Sequence, residues 1–101
     1  MSPPLQIRVS PQALVQIEEA ASWWERNRPS APNAIHHDVA EILTVLSTQP
    51  GVGAPARRSR VIGVRRVNLT RVRYYIYYRV SGGFLDVLAF WHTSRAGHPR
   101  V

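Results

Sequence analysis

One stretch of the sequence, RYYIYYRV at positions 73–80, combines residue types that bind anions and aromatic rings. It contains all four tyrosines of the chain, bracketed by Arg73 and Arg79. Arginine forms bidentate bonds to phosphate or carboxylate, and both arginine and tyrosine are enriched at the energetic centres of protein interfaces. Both also suit stacking on nucleic-acid bases. The stretch therefore predicts a binding surface for a protein or a nucleic acid.

Other residue groupings do not have the spacing of a metal or catalytic site. His36 and His37 are adjacent and cannot face one metal ion from a helix, while His92 and His98 have no acidic or thiol ligands beside them. Asp, His and Ser occur together on the short segment 86–94, which lacks a nucleophile elbow. No glycine pair precedes the Lys-Ser or Lys-Thr of a phosphate-binding loop. We therefore expect neither a metal nor a cofactor.

The composition indicates a small basic protein. The 101 residues contain no internal repeat, which predicts a single domain over 1–101. The formal net charge is +7 and all thirteen basic residues are arginine, so long-range attraction favours acidic or polyanionic partners. A chain without lysine is also typical of high-GC coding bias. Because there is no cysteine, no apolar run of about 18 residues and no leader-like start, we expect a cytoplasmic protein that does not contact a membrane.

The first half of the chain predicts a strand and a helix. Residues 5–9 alternate between apolar and polar types, which indicates a short strand. Ser10-Pro11 predicts the start of the helix, with serine as N-cap, and Arg28-Pro29 predicts its end. The predicted buried face of this helix consists of Leu14, Ile17, Ala21 and Trp24.

A second helix is predicted from Ser30 to Gln49, where Pro50-Gly51 ends it. Its predicted buried residues are Ile35, Val39, Ile42, Leu43 and Leu46. Because only a few residues join the two helices, they should form an antiparallel hairpin.

The second half of the chain predicts β-structure after a basic loop at 50–60. Three strands are predicted, at 61–69, 72–80 and 84–92, with a Ser-Gly-Gly hairpin turn between the last two. Residues 95–101 are predicted to form a flexible tail. The predicted fold is α+β, with the helix hairpin packed on one face of a mostly antiparallel sheet. The N-terminal strand and a C-terminal three-strand meander form that sheet.

Alternation along the central predicted strand assigns its side chains to two faces. The core face, beneath the helices, is predicted to carry Val72, Tyr74, Ile76, Tyr78 and Val80. The opposite, open face is predicted to carry Arg73, Tyr75, Tyr77 and Arg79. Two interpretations of the open face remain. It is either a solvated surface that cross-strand stacking stiffens, or a binding surface, which the apolar surplus and the charge favour.

Three segments resemble the C-terminal half of the ParE/RelE superfamily of bacterial toxins: GVRRV at 63–67, RYYIYYRV at 73–80 and LDVLAFWHTSR at 85–95. Upstream, SPQA at 10–13 with its helix ending in an aromatic pair, and PGVG at 50–53, agree with the same family. The resemblance implies the fold described above. It also implies a labile antitoxin partner, a small protein with an acidic C-terminal segment and a DNA-binding N-terminal domain. In such toxins the open sheet face and the groove of the helix hairpin accept the antitoxin.

The activity implied by the resemblance divides between two branches. RelE-like members cut messenger RNA at the ribosome, and Arg65, Arg79 and His92 match positions that would form a ribonuclease set. ParE-like members inhibit DNA gyrase, and the Tyr-Tyr-Arg-Val and Trp-His-x-x-Arg forms, with the absence of loop lysines, are closer to ParE. We therefore predict a gyrase inhibitor, with the endoribonuclease as the alternative and an inactive antitoxin-binding relative as a third interpretation. The predicted binding residues are Arg65, Tyr75, Tyr77, Arg79, Trp91, His92 and Arg95.

Overall fold

The computed structural model describes residues 3–101 as a five-stranded sheet with two helices on one face. The elements are β1 (Gln6–Val9), α1 (Pro11–Asn27), α2 (Ala34–Thr48), β2 (Ala54–Pro55), β3 (Arg65–Leu69), β4 (Tyr74–Ser81) and β5 (Phe84–His92). The strand order is β1-β5-β4-β3-β2, in which β1 runs parallel to β5 and every other pair is antiparallel. The predicted α+β fold is confirmed. No helix in the described part of the chain is long and apolar enough to span a membrane.

Helix α1 begins where the Ser-Pro signal predicted. The Ser10 hydroxyl accepts a hydrogen bond from the Ala13 amide at 3.0 Å, which satisfies one free donor of the first turn. The prediction of its buried face was wrong at Leu14, which is 52 % exposed. Ile17 and Ala21 are buried as predicted and Trp24 packs against the core, while Ala13 and Ala20 complete the buried stripe in place of Leu14. Small alanines let the helix approach the sheet closely, so α1 turns this side inward and leaves the bulkier Leu14 outside.

Helix α2 begins at Ala34, later than predicted, because residues 29–33 form a turn that connects the helices. In this turn the Ala31 amide donates to the Arg28 carbonyl and the Ala34 amide to the Ala31 carbonyl. Pro32 has no amide hydrogen to donate, which suits a turn better than a continuous helix. The predicted core residues of α2 are confirmed, since Ile35, Val39, Leu43 and Leu46 are buried and Ile42 packs against them.

Residues 50–60 are more ordered than the predicted loop. They begin with a single 3-10 turn, Pro50–Val52, and continue into β2, which pairs with β3. The buried Tyr78 hydroxyl anchors this segment, because it donates to the Pro50 carbonyl at 2.6 Å and accepts from the Gly53 amide at 2.9 Å. Sequence alternation could not show this anchor, since its two partners lie 28 and 25 residues away along the chain.

The predicted strands at 61–69 and 72–80 each begin too early. Gly63 has a φ of 85° and Arg73 a φ of 64°, and both values belong to turns instead of strands. Strand β3 therefore starts only at Arg65 and β4 only at Tyr74. The predicted strand at 84–92 and the turn before it are confirmed, with Gly82 at a φ of 60°.

Strand β5 contains a bulge at Leu88 that changes which residues face the helices. Tyr77 pairs with Ala89, whereas the next residue, Tyr78, pairs with Val87. The irregular backbone is satisfied from α1, because the Ser10 hydroxyl donates to the Leu88 carbonyl and the Phe90 amide donates to the Gln16 side-chain oxygen at 2.8 Å. The extra residue keeps Val87 and Phe90 in the core although they are three positions apart.

The C-terminal segment packs against the sheet and does not extend away from it as a tail. Pro99 is fully buried, and Val101 contacts the cluster formed by Val64, Tyr77 and Ala89 on the face opposite the helices. The Val101 carbonyl accepts a hydrogen bond from the Arg60 amide at 2.7 Å. The face that we predicted to be open is therefore partly covered by residues of the same chain.

Candidate binding face

The face of the sheet opposite the helices carries alternating aromatic rings and guanidinium groups. Tyr75 on β4 lies opposite Trp91 on β5, and Tyr77 lies opposite Arg66 on β3. The Arg66 guanidinium lies 4.1 Å from the centre of the Tyr75 ring and donates to the Tyr77 hydroxyl at 3.2 Å. The Arg95 guanidinium covers Trp91 at 3.8 Å. These contacts hold two guanidinium groups above the sheet as cation–π pairs.

The rings themselves are largely inaccessible. Tyr77 is only 4 % exposed, because Ala56, Val64 and Val101 pack around it. Tyr75 and Trp91 are half-buried beneath the two arginines. The chemistry that this face offers to a partner is therefore that of guanidinium groups supported by aromatic rings, more than that of open rings.

Arg65 and His92, two of the predicted binding residues, do not lie on this face. Arg65 pairs with Tyr78, whose ring is in the core beneath the helices, and its guanidinium donates to the Gly53 carbonyl at 2.6 Å. The His92 ring packs edge-on against Tyr74, which also lies on the helix side. Its Nδ1 accepts from the Ser94 amide at 3.1 Å. Arg65 thus fixes the 50–55 segment, and His92 fixes the turn after β5.

Arg79 follows the core residue Tyr78 on β4, so its side chain leaves from the opposite face, beside the pair formed by Asp86 and Arg8. The sheet therefore separates Arg79 from Arg65 and His92. The three residues suggested for a ribonuclease do not converge on one point in this structure.

Residues that we did not predict complete the site. Arg57, Arg58 and Arg66 line a cavity of about 500 Å³ between the 54–59 segment and the C-terminal segment. The adjacent pair Arg65-Arg66 was a usable signal, because alternation places two consecutive strand residues on opposite faces. We name five exposed or half-buried arginines on this side that do not pair with a carboxylate the arginine face; they are Arg57, Arg58, Arg66, Arg79 and Arg95.

Within residues 3–101 the arginine face has one carboxylate beside it, Asp86, which is paired with Arg8. The six acidic residues of the chain are Glu18, Glu19 and Glu25 on α1, Asp38 and Glu41 on α2, and Asp86 on β5. Asp86 accepts hydrogen bonds from Arg8 at 2.6 and 3.0 Å, and these bonds raise the pKa of the Arg8 guanidinium. The acidic residues are thus on the helices or already paired, and the arginine face keeps an unbalanced positive charge.

One group of possible metal ligands lies outside this face. Within residues 3–101, His37, Asp38 and Glu41 bring one ligand atom each within 4.8 Å of the others. Both carboxylate oxygens of Asp38 already bind Arg71, and these hydrogen bonds lower the pKa of the Asp38 carboxyl. The group is better described as an ion-pair network that joins α2 to the β3–β4 turn.

A second exposed surface lies on the outer side of α1. Leu14, Val15 and Trp23 are 52 %, 57 % and 44 % exposed, and they surround a shallow hollow together with Glu18 and Glu19. An apolar surface rimmed by charge is typical of a protein interaction site. We name these five residues the α1 patch.

Comparison with known proteins agrees with the fold and the motifs. The sequence profile described as the ParE toxin of the type II toxin-antitoxin system parDE matches residues 7–97. A solved structure of the chromosomal ParDE toxin-antitoxin system from P. aeruginosa superimposes with a TM-score of 0.72 at 21 % sequence identity, covering 89 % of this chain and 97 % of that one. No curated protein matches. Since the family profile spans nearly the whole chain, this protein belongs to the ParE toxin family of type II toxin-antitoxin systems.

Proposed function

We propose that this ParE-family toxin acts in the cytoplasm by binding and inhibiting DNA gyrase, and that a cognate antitoxin neutralises it. The observation that carries the proposal is the separation of Arg79 from Arg65 and His92 by the sheet. Cleavage of RNA needs a base, a cationic group at the phosphate and an acid within reach of one scissile bond. A toxin that acts by binding needs only an accessible surface, which the arginine face offers.

The antitoxin is proposed to dock on the α1 patch. An amphipathic segment that buries its apolar side against Leu14, Val15 and Trp23 would remove the largest exposed apolar area of α1 from water. Because Glu18 and Glu19 border this area, the part of the antitoxin that lies there should carry basic or neutral side chains beside its apolar ones.

Gyrase inhibition is tested by incubating the purified toxin with gyrase and supercoiled plasmid. Trapped, cleaved DNA is the expected product, and Arg79→Gln should reduce it while Arg26→Gln, the same charge change on the exposed side of α1, should not. If gyrase is unaffected while transcripts are cut in cells, the proposal is wrong. In that case the ribonuclease interpretation would be tested with His92→Ala, which should abolish the cutting.

Antitoxin docking is tested with the antitoxin, which the proposal expects to be encoded beside the toxin. Leu14→Glu should weaken the complex at least tenfold, a change of about 1.4 kcal/mol, because it places a carboxylate against the apolar side of the partner. Gln12→Glu adds the same charge at an exposed position of the same helix and should have little effect. Equal affinities for the two variants in calorimetry would remove the α1 patch from the interface.

A further inference from the structure

We propose that the arginine face binds the phosphate backbone of duplex DNA directly, without gyrase. This binding does not depend on gyrase being the target, since it concerns only the charges and shape of the toxin surface. It would give the toxin its own contact with DNA.

The first support is the charge of the face. Within residues 3–101 the arginines that pair with a carboxylate are Arg8 and Arg71. Arg8 lies on the same side of the sheet as the arginine face, but Asp86 balances its charge. The five guanidinium groups of the arginine face form no ion pair with any described carboxylate of this 11.4 kDa protein. Guanidinium groups that lack an anionic partner favour phosphate, which they bind in a planar, bidentate manner.

The second support is that part of the face is already ordered. Arg66 rests on Tyr75 and bonds to Tyr77, and Arg95 rests on Trp91. Less side-chain freedom remains to be lost when an anion binds to such groups. The arginine face extends from Arg57 and Arg58, which follow β2, across β3 and β4 to Arg95 after β5, and neighbouring strands of a sheet lie about 5 Å apart. Arginines distributed over this width can contact several phosphates at once.

The third support distinguishes duplex DNA from a single strand. Proteins that bind single strands present open aromatic rings on which bases stack. Here Arg66 and Arg95 lie over the Tyr75 and Trp91 rings, and Tyr77 is buried. The accessible groups are cations that match a phosphate backbone, and backbone contacts of this kind are largely independent of sequence.

An acidic peptide is a poorer fit to the same surface. An extended peptide gains backbone hydrogen bonds when it adds to an exposed strand edge, where backbone groups are free. The arginine face lies on the broad side of the sheet, where the backbone of β4 is already hydrogen-bonded to β3 on one side and to β5 on the other. Side-chain contacts alone would have to hold the peptide, whereas a rigid duplex presents its charges without being ordered first.

The proposal is tested by fluorescence anisotropy of the full-length toxin with a labelled duplex of about 20 base pairs over a series of salt concentrations. With about four to five phosphate contacts, the slope of log K against log salt should be about −4, and affinity should fall about 250-fold between ~50 and ~200 mM salt. Arg66→Gln combined with Arg95→Gln should weaken binding at least tenfold and reduce the magnitude of the slope by about two.

The matched control combines Arg26→Gln with Arg28→Gln, which lowers the net charge equally but changes only the end of α1 and the residue after it. Circular dichroism of both double variants checks that each is folded. Weaker binding by the first variant, with the control close to wild type, supports the proposal. It is overturned by absence of duplex binding at low salt, by equal loss in both variants, or by tighter binding of a single strand or of polyglutamate than of the duplex.

Discussion

Replacing Gly53 by alanine tests the link between the core and the loop that carries part of the arginine face. A Cβ at this position would lie 2.5 Å from the Tyr78 hydroxyl oxygen and 2.8 Å from the Arg66 carbonyl oxygen. Both distances are shorter than real Cβ contacts, and the second neighbour is backbone, which cannot rotate away. The substitution therefore has to move either the 50–55 segment or the Tyr78 ring.

The expected destabilisation follows from these contacts. Overpacking of a core costs about 1–3 kcal/mol, and each hydrogen bond lost by a buried hydroxyl costs about 1 kcal/mol. Tyr78 makes two such bonds, to Pro50 and Gly53, so we expect a loss of about 3 kcal/mol in the free energy of unfolding. For a domain of this size the melting temperature should fall by about 15 °C.

Thermal and urea unfolding followed by circular dichroism measure this loss. Gly51→Ala is the matched control, because a Cβ at Gly51 meets nothing within 4 Å, and its effect should stay within about 0.5 kcal/mol. Combining Gly53→Ala with Tyr78→Phe should cost less than the sum of the two single changes, since the closest overlapping atom is then absent. A Gly53→Ala protein as stable as the Gly51→Ala protein would refute the reasoning.

Three further predictions concern individual contacts. Hydrogen bonds from Arg71 lower the pKa of the Asp38 carboxyl. The stability that ionised Asp38 contributes is therefore present above the ordinary carboxyl pKa of about 4 and is lost as pH falls below that value. Asp38→Asn should flatten the acid limb of a curve of unfolding free energy against pH. Burial raises the pKa of the Tyr78 hydroxyl. The stability that neutral Tyr78 contributes is therefore present below about pH 10 and is lost as pH rises further. Tyr78→Phe should reduce the fall in melting temperature at alkaline pH, measured in thermal melts over a pH series. Gln16→Leu leaves the Phe90 amide without its acceptor and should lower the free energy of unfolding by about 1–3 kcal/mol in urea titrations, whereas an unchanged value would show that the β5 bulge does not need this bond.

Features governed by neighbouring residues could be predicted from the sequence. Ser10-Pro11 begins α1 because the capping hydroxyl and the proline act within one turn, and Gly82 supplies the positive φ of the hairpin turn before β5. The core stripe of α2 follows from helical periodicity, which needs no knowledge of the partner surface. The family motifs likewise depend only on the order and spacing of residues.

The composition of the arginine face could be predicted only in part. Tyr75, Tyr77 and Arg79 on β4 were assigned to the correct side by alternation, since this strand is regular. Arg66 was missed, and Arg65 was predicted to bind from the family resemblance although it lies on the helix side of β3. Trp91 and His92 were both predicted to bind, although adjacent strand residues point to opposite sides of a sheet.

The sequence by itself determined the two helices, the four longer strands, the excess of arginine and the aromatic pattern of β4, since each arises from local geometry or from composition. Tertiary structure alone decided that Leu14 of α1 faces outward, that the β5 bulge at Leu88 keeps Phe90 in the core, and that residues 99–101 cover Tyr77. The physical reason is that strand register and helix rotation are set by packing between segments far apart in the chain. A shift of one residue in strand register transfers a side chain from the core to the arginine face.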